Sequence, residues 1–162
     1  MFRIRKRIKK IIFLKMKKNI LLTRPIEDSL NLETKIKEIG FNVIISPMLV
    51  VKKIRAYPIK KTKIDIIFFT SRNGIRNLNS RSFLNTIVLT VGNGTYLEAK
   101  SRGYKNIHNA DGSSDDLLKL YNKKFEKKNH NILHPTSTEK NKKLEDFFLN
   151  KESTYISYPV YK

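Results

Sequence analysis

The sequence predicts an α/β protein built on parallel sheet. Three observations carry that expectation. Short apolar runs of strand length alternate with segments of helical spacing along most of the chain. A strand-helix-strand segment occurs twice, at a constant offset. Several of the apolar runs end in glycine- or hydroxyl-rich loops, as strands do where they hand over to helices.

The elements follow in order. "NILLT" (19–23) is a short apolar run that reads as a strand. "SLNLETKIKEIG" places Leu30, Leu32, Ile36 and Ile39 on one side of a helix, with Gly40 as its stop. "FNVIISP" is the next strand, ended by Pro47. "LVVKKIRAYPIKKTK" is an extended connector with β character of its own. "IDIIFFTS" (64–71) is apolar at successive positions and so is expected to be buried on both faces. "RNGIRNLNSRSFLN" reads as a helix weakened by Gly74 and its asparagines. "TIVLTV" (86–91) is a strand, followed by "GNGT" and a helix over 95–102. "KNIHNA" is a short strand. "GSSDDLLKLYNKKF" is a helix with a serine or aspartate cap and acids in its first turn. "HNILHPTS", "EKNKKLEDFFLN" and "STYISYPVYK" read as strand, helix and closing strand.

The duplication joins the two ends of this series. The first copy runs from Asn19 to Pro47 and the second from Asn131 to Pro159, without a gap between the aligned ends. Asn-Ile-Leu opens both copies. Glu27 and Glu139, Leu32 and Leu144, Glu33 and Glu145, and Ile44 and Ile156 coincide. After the second copy the sequence contains only "VYK", so the counterparts of "IDIIFFTS" and "TVGNGT" are expected to be missing.

Composition excludes several classes. The chain has no cysteine, hence no disulfide framework and no thiolate metal site. Its three histidines lack metal-ligand spacing; His130 and His134 flank what reads as the start of a strand. No apolar run approaches the roughly 20 residues of a membrane-spanning helix. The formal charge of +20 invites a nucleic-acid reading. Nine of the 34 basic residues and none of the 14 acidic ones lie in 1–18, however. Elsewhere the lysines sit on polar faces without the aromatic interleaving of a strand-binding groove. A basic chain also suits a polyanionic small ligand. Segment 1–18 itself reads as a basic amphipathic helix, a transit peptide, or an extension preceding a start at Met16.

The candidate site residues lie at strand ends. In "TVGNGT", Gly92 and Gly94 permit positive φ, Asn93 lies between them, and Thr95 is placed to cap the following helix. Free N–H groups at a helix start attract phosphate or carboxylate. The segment is neither a Walker loop, since no Gly-Lys-Ser/Thr follows, nor a clear dinucleotide fingerprint. Thr70 and Ser71, Ser113, Thr136 and Ser137, and Thr23 with Arg24 occupy equivalent loops. Ligands of open α/β sheets bind beyond the carboxyl ends of strands, so these loops are expected to converge on an anionic ligand. Each loop alone is also an ordinary capping signal. No nucleophile triad stands out, and Tyr161 reads either as a candidate acid or as a packed strand tyrosine.

"ILLTRP", "KIKEIGFNVIISPML", "DIIFFTSRNGI", "TVGNGTYLEAKSRGY", "GSSDDLL" and "ILHPTS", in that order and spacing, resemble the successive signatures of the uroporphyrinogen-III synthase family. The resemblance covers 19–161. It implies two parallel-sheet α/β domains joined by a two-stranded β linker, with the first domain incomplete in this chain. Residues 1–18 would then be a basic extension, 19–50 the first part of domain 1, 51–62 the linker, 63–158 domain 2, and 159–162 the start of the return linker. The implied reaction cyclises hydroxymethylbilane to uroporphyrinogen III, inverting the last pyrrole ring and losing water, without metal or cofactor. Thr23, Arg24, Thr70, Ser71, Gly92, Asn93, Thr95, Ser113, Thr136 and Ser137 would grip the substrate's carboxylate arms, and Tyr161 would assist departure of the hydroxyl. A cytoplasmic monomer is implied, supplied by an upstream hydroxymethylbilane synthase, with no nucleic-acid partner and no membrane span. The alternatives are an inactive remnant of the same enzyme and a basic α/β nucleic-acid-binding protein.

Overall fold

Ile66, Ile67, Phe68 and Phe69 are apolar at four successive positions, so a strand made of them needs cover on both faces. The structure, a computed structural model, supplies it. It describes residues 18–59, 63–79, 81–110, 112–126, 128–139 and 141–162. The readings of segment 1–18 therefore fall, but for Lys18, outside the described residues. The chain divides into two units, Met1–Val51 and Lys52–Lys162.

In the first unit, β1 (Asn19–Leu22) and β2 (Asn42–Ile45) pair in parallel and are connected by α1 (Ile26–Glu38). The helix starts earlier than its apolar spacing predicts. Pro25 precedes Ile26 with φ −47°, a value already helical and fixed by its ring. Two of the four residues expected on its inner side, Leu30 and Ile39, are instead more than half exposed, while Ile36 is buried with Asp28 and Ser29. Leu21 and Ile44 face each other across the two strands, and both are exposed. Among the described residues Leu22 and Ile36 are this unit's only buried apolar side chains. With only those two apolar side chains buried, the unit gains little hydrophobic stabilisation. The amides of Leu21 and Leu22 should therefore exchange with solvent deuterium at least about a hundredfold faster than those of Ile66–Phe69. Equal protection would contradict this account of the unit.

In the second unit, β3 (Ile66–Phe69), β4 (Ile87–Thr90), β5 (Asn106–Asn109), β6 (Asn131–Ser137) and β7 (Thr154–Tyr161) form one parallel sheet in the order β5-β4-β3-β6-β7. α2 (Arg72–Asn77), α3 (Asn93–Ser101), α4 (Ser114–Phe125) and α5 (Lys142–Phe148) connect successive strands. Ile66 and Phe68 pack on one side with Leu117, Tyr121, Leu144 and Phe148 from α4 and α5. Ile67 and Phe69 pack on the other with Ile75 and Ala99 from α2 and α3. Strand alternation thus sorts four neighbouring side chains into two cores. The helix expected throughout 72–85 stops at Asn77: Leu78 turns extended at ψ 136° and buries its side chain, and a 3₁₀ turn follows at Arg81–Phe83.

The duplicated segments form matching units. Asn19 pairs with Asn42 in the first, and Asn131 pairs with Thr154 in the second, both at the same separation along the chain. In the connector, Lys52 and Lys162 exchange backbone hydrogen bonds at 2.8 and 2.9 Å, and Lys53 bridges Tyr161 antiparallel. Its β character is realised there.

Candidate functional site

Strand order determines where a ligand could sit. From β3 the chain proceeds to β4 on one side, whereas β6, on the other side of β3, leads to β7. The direction of winding reverses between β3 and β6, which is where open parallel sheets leave a crevice at their carboxyl edge. The two strands pair only at Ile66–Ile132 and Ile67–Leu133. Beyond that point Pro135 has no N–H to give, and α2 approaches the gap through Gly74. A cleft of about 540 Å³ opens here, lined by Thr70, Thr136, Ser137, Glu139, Asn141, Lys142 and Tyr161.

The cleft joins four of the residues expected from sequence: Thr70 at the end of β3, Thr136 and Ser137 at the end of β6, and Tyr161 at the end of β7. Ser137 donates to the Glu139 carbonyl at 3.2 Å, which tightens the loop leading to α5. Lys142 contributes a cation and Glu139 an acid.

Beneath the cleft lies a buried polar chain. His134 is fully buried in β6. Its Nε2 lies 2.9 Å from the Thr70 hydroxyl, and its Nδ1 lies 2.5 Å from the Tyr155 hydroxyl. The Tyr155 ring stacks on Phe148 at 5.3 Å, which fixes the phenol in place. Burial pushes the Tyr155 phenol pKa up, with the Glu145 carboxylate adding to the shift. Burial holds the His134 pKa down, to about 4. His134 is thus neutral at pH 7 and serves as a hydrogen-bonding link between two hydroxyls.

This has a consequence for acid stability. In the unfolded chain the ring protonates near 6.5, its ordinary value. Between 6.5 and 4 unfolding takes up a proton, so the stability associated with neutral His134 is complete above 6.5 and is lost as pH falls toward 4. Urea unfolding across that range should show a loss approaching about 3 kcal/mol. His134→Gln should remove that share of the pH dependence; an unchanged slope in the variant would assign it elsewhere.

The other expected residues of the second unit lie along the same edge of its sheet but outside this cleft. Ser71 caps α2, its hydroxyl accepting from the Asn73 amide at 3.1 Å. Ser113 caps α4 in a reciprocal box: its hydroxyl accepts from the Asp116 amide at 3.2 Å, and its own amide donates to the Asp116 carboxylate. The Ser113 hydroxyl also donates to the Asp116 carboxylate at 2.6 Å, and this bond, with one from Lys119, holds that carboxyl below its usual range.

The "GNG" turn differs from expectation. Gly92 is the cap of α3, with extended backbone at φ −172°, and neither Gly92 nor Gly94 adopts positive φ. Asn93 begins the helix. Thr95 is not the cap: it lies within the first turn, buried, with its amide bonded to the Gly92 carbonyl at 3.0 Å. The helix starts earlier than expected because Asn93 and Gly94 accept helical backbone, so the free amides fall nearer the turn. Thr23 and Arg24 follow β1 in the first unit, both exposed.

Sequence reasoning missed His134, Tyr155, Asn141 and Lys142. His134 was expected at a strand start, yet it sits inside β6. The signal was its place between "IL" and "PTS", since a histidine in a fully buried strand needs partners. Among the described residues no group of three metal-binding side chains occurs, and no helix is long and apolar enough to cross a membrane. A second cavity, also about 540 Å³, runs beneath the connector between Lys53 and Ile59. None of the expected site residues lines it.

The fold resembles solved structures. A mutant uroporphyrinogen III synthase from the extremely thermophilic bacterium Thermus thermophilus aligns with a TM-score of 0.57 at 14% identity, covering 90% of this chain and 62% of that one. A second structure of Thermus thermophilus uroporphyrinogen III synthase aligns at 0.47 and 15% identity, covering 90% of this chain and 64% of that one. This chain therefore spans less than two thirds of the length of either. At such identities the first likeness speaks for the fold alone. No curated protein sequence matches the chain. The family model described as "Uroporphyrinogen-III synthase HemD" matches residues 31–162, which include the whole five-stranded sheet and its cleft. With a match over that much of the sequence, on a fold that agrees with it, the chain belongs to the uroporphyrinogen-III synthase family.

Proposed function

We propose that this chain acts as a uroporphyrinogen-III synthase, closing hydroxymethylbilane to uroporphyrinogen III with inversion of the last ring and loss of water. The observation that carries this reading is the cleft at the sheet's reversal point, where Thr70, Thr136 and Ser137 meet Tyr161 beside Lys142. Hydroxyls and a lysine suit the carboxylate arms of a polyanionic tetrapyrrole. Tyr161, the phenol in that group, is placed to donate a proton to the departing hydroxyl. Ser71, Gly92, Asn93 and Ser113, along the same edge with Thr95 packed below, extend the surface for further arms. The proposal includes Thr23 and Arg24 of the first unit as binders of a carboxylate arm. Holding a flexible, reactive chain in a folded pose supplies most of the acceleration, so no cofactor is required. The reading carries a cytoplasmic, monomeric enzyme working directly after a hydroxymethylbilane synthase.

The test is a coupled assay in which hydroxymethylbilane is generated in place and the macrocycle isomers are separated. The expected result is type III product above the spontaneous type I background. Tyr161→Phe should reduce the type III rate by about a hundredfold, the usual worth of a positioned proton donor. Type I product alone from the wild-type chain would overturn the reading.

A further inference from the structure

We propose that Tyr155 is a positioning residue: acting through His134, it aims the proton of the Thr70 hydroxyl into the cleft. Three polar atoms stand in series, with the Tyr155 hydroxyl 2.5 Å from His134 Nδ1 and His134 Nε2 2.9 Å from the Thr70 hydroxyl. A neutral imidazole has one N–H, so the series has only two directions. In one, Tyr155 donates to Nδ1, Nε2–H donates to the Thr70 oxygen, and the Thr70 proton is left to point into the cleft. In the other, Thr70 donates to Nε2, Nδ1–H donates to the Tyr155 oxygen, and the phenol proton is left to the shallow cavity that Tyr155 lines with Glu145 and Ser157.

The phenol decides between them. Burial keeps Tyr155 protonated. Among the described residues His134 Nδ1 is the only hydrogen-bond partner of its hydroxyl. Both hydroxyl-bearing residues border open space, but a phenol is the stronger donor and the weaker acceptor of the two, so the series is most stable with Tyr155 donating and Thr70 accepting. The first direction therefore holds, and His134 is the Nε2–H tautomer.

The direction matters for what the cleft can bind. A carboxylate only accepts hydrogen bonds. A Thr70 hydroxyl that has given its proton to histidine would offer such a ligand only lone pairs. With the proton turned outward, Thr70 becomes a donor suited to an anion. For the ligand's class the inference rests on the proposed function; the direction of the series does not.

Two measurements on the full chain test it. In ¹⁵N-histidine NMR at pH 7, His134, assigned by the signal lost in His134→Gln, should show a protonated Nε2 and an unprotonated Nδ1. A protonated Nδ1 in the wild-type chain overturns the proposal without recourse to any variant. The second measurement is fluorescence titration with uroporphyrin, an octacarboxylate macrocycle. Thr70→Val and Tyr155→Phe should each weaken binding by about tenfold. Because both break one series, the double variant should bind no more weakly than Thr70→Val alone. Two losses that multiply, or unaltered binding in Thr70→Val, would overturn the proposal. If uroporphyrin does not bind the wild-type chain, the proposed function fails; the tautomer then decides alone, Nε2–H upholding the series and Nδ1–H overturning it.

Discussion

Gly74→Ala should destabilise the second unit by about 3 kcal/mol, the cost of forcing an atom into a closed backbone contact. Gly74 lies in α2, and a Cβ there would sit 2.5 Å from the Pro135 carbonyl oxygen and 3.4 Å from its carbon. Both belong to the main chain of β6, so no side chain can swing away. The helix cannot withdraw cheaply either: Ile75 is only 1% exposed, and the Leu78 amide is bonded to the Gly74 carbonyl at 3.1 Å. Intrinsic helix propensity opposes this prediction, since alanine is favoured over glycine by about 1 kcal/mol. The overlap is the larger effect, so the net sign is destabilising. Urea unfolding of the variant decides it; a midpoint at or above that of the wild type would show that α2 and β6 are not held as tightly as the geometry implies.

Phe68→Ala should cost about 4 kcal/mol, the usual penalty for emptying a large aromatic from a packed core. Phe68 is fully buried in the central strand. Its ring meets Tyr121 edge-on at 5.7 Å and Phe148 at 6.0 Å, and these rings tie α4 and α5 to the sheet. The Tyr121 hydroxyl is in turn bonded to Ser153 at 2.9 Å, so this side of the core is pinned by a polar contact and has little freedom to collapse into the gap. Leu149→Ala is the matched control. Leu149 is 73% exposed, and its loss should stay within about 0.5 kcal/mol. Chemical denaturation of the two variants side by side is the measurement, and similar midpoints would contradict the assigned core.

What was legible in the sequence rests on short-range physics. Ile66–Phe69 announced a doubly covered strand because four adjacent apolar side chains cannot all face one side. "GSSDDLL" announced a helix start because a serine or aspartate cap and first-turn acids act within a few residues, and Ser113 is that cap. The duplication correctly anticipated two parallel units of equal register. Errors arose where packing overrides local pattern. Leu30 and Ile39 satisfy helical spacing yet are exposed, since a two-stranded sheet offers room for little more than Ile36. "GNG" looked like a positive-φ turn, but Gly92 is extended and Gly94 lies within α3.

The sequence by itself therefore determined the elements, their parallel pairing and the hydroxyl-bearing loops at the strand ends, because propensity, periodicity and capping act over a few residues. Only the tertiary structure decided which of those loops share a cleft. Strand order places β6 against β3, and so Thr70 from one loop meets Thr136, Ser137 and Tyr161 from two others, while Ser71 and Ser113 use their hydroxyls in helix caps. It also decided the meaning of His134, a residue unremarkable in sequence, which becomes the link between Tyr155 and Thr70. Its role depends on burial and on partners 21 and 64 residues away, distances over which no local pattern carries information.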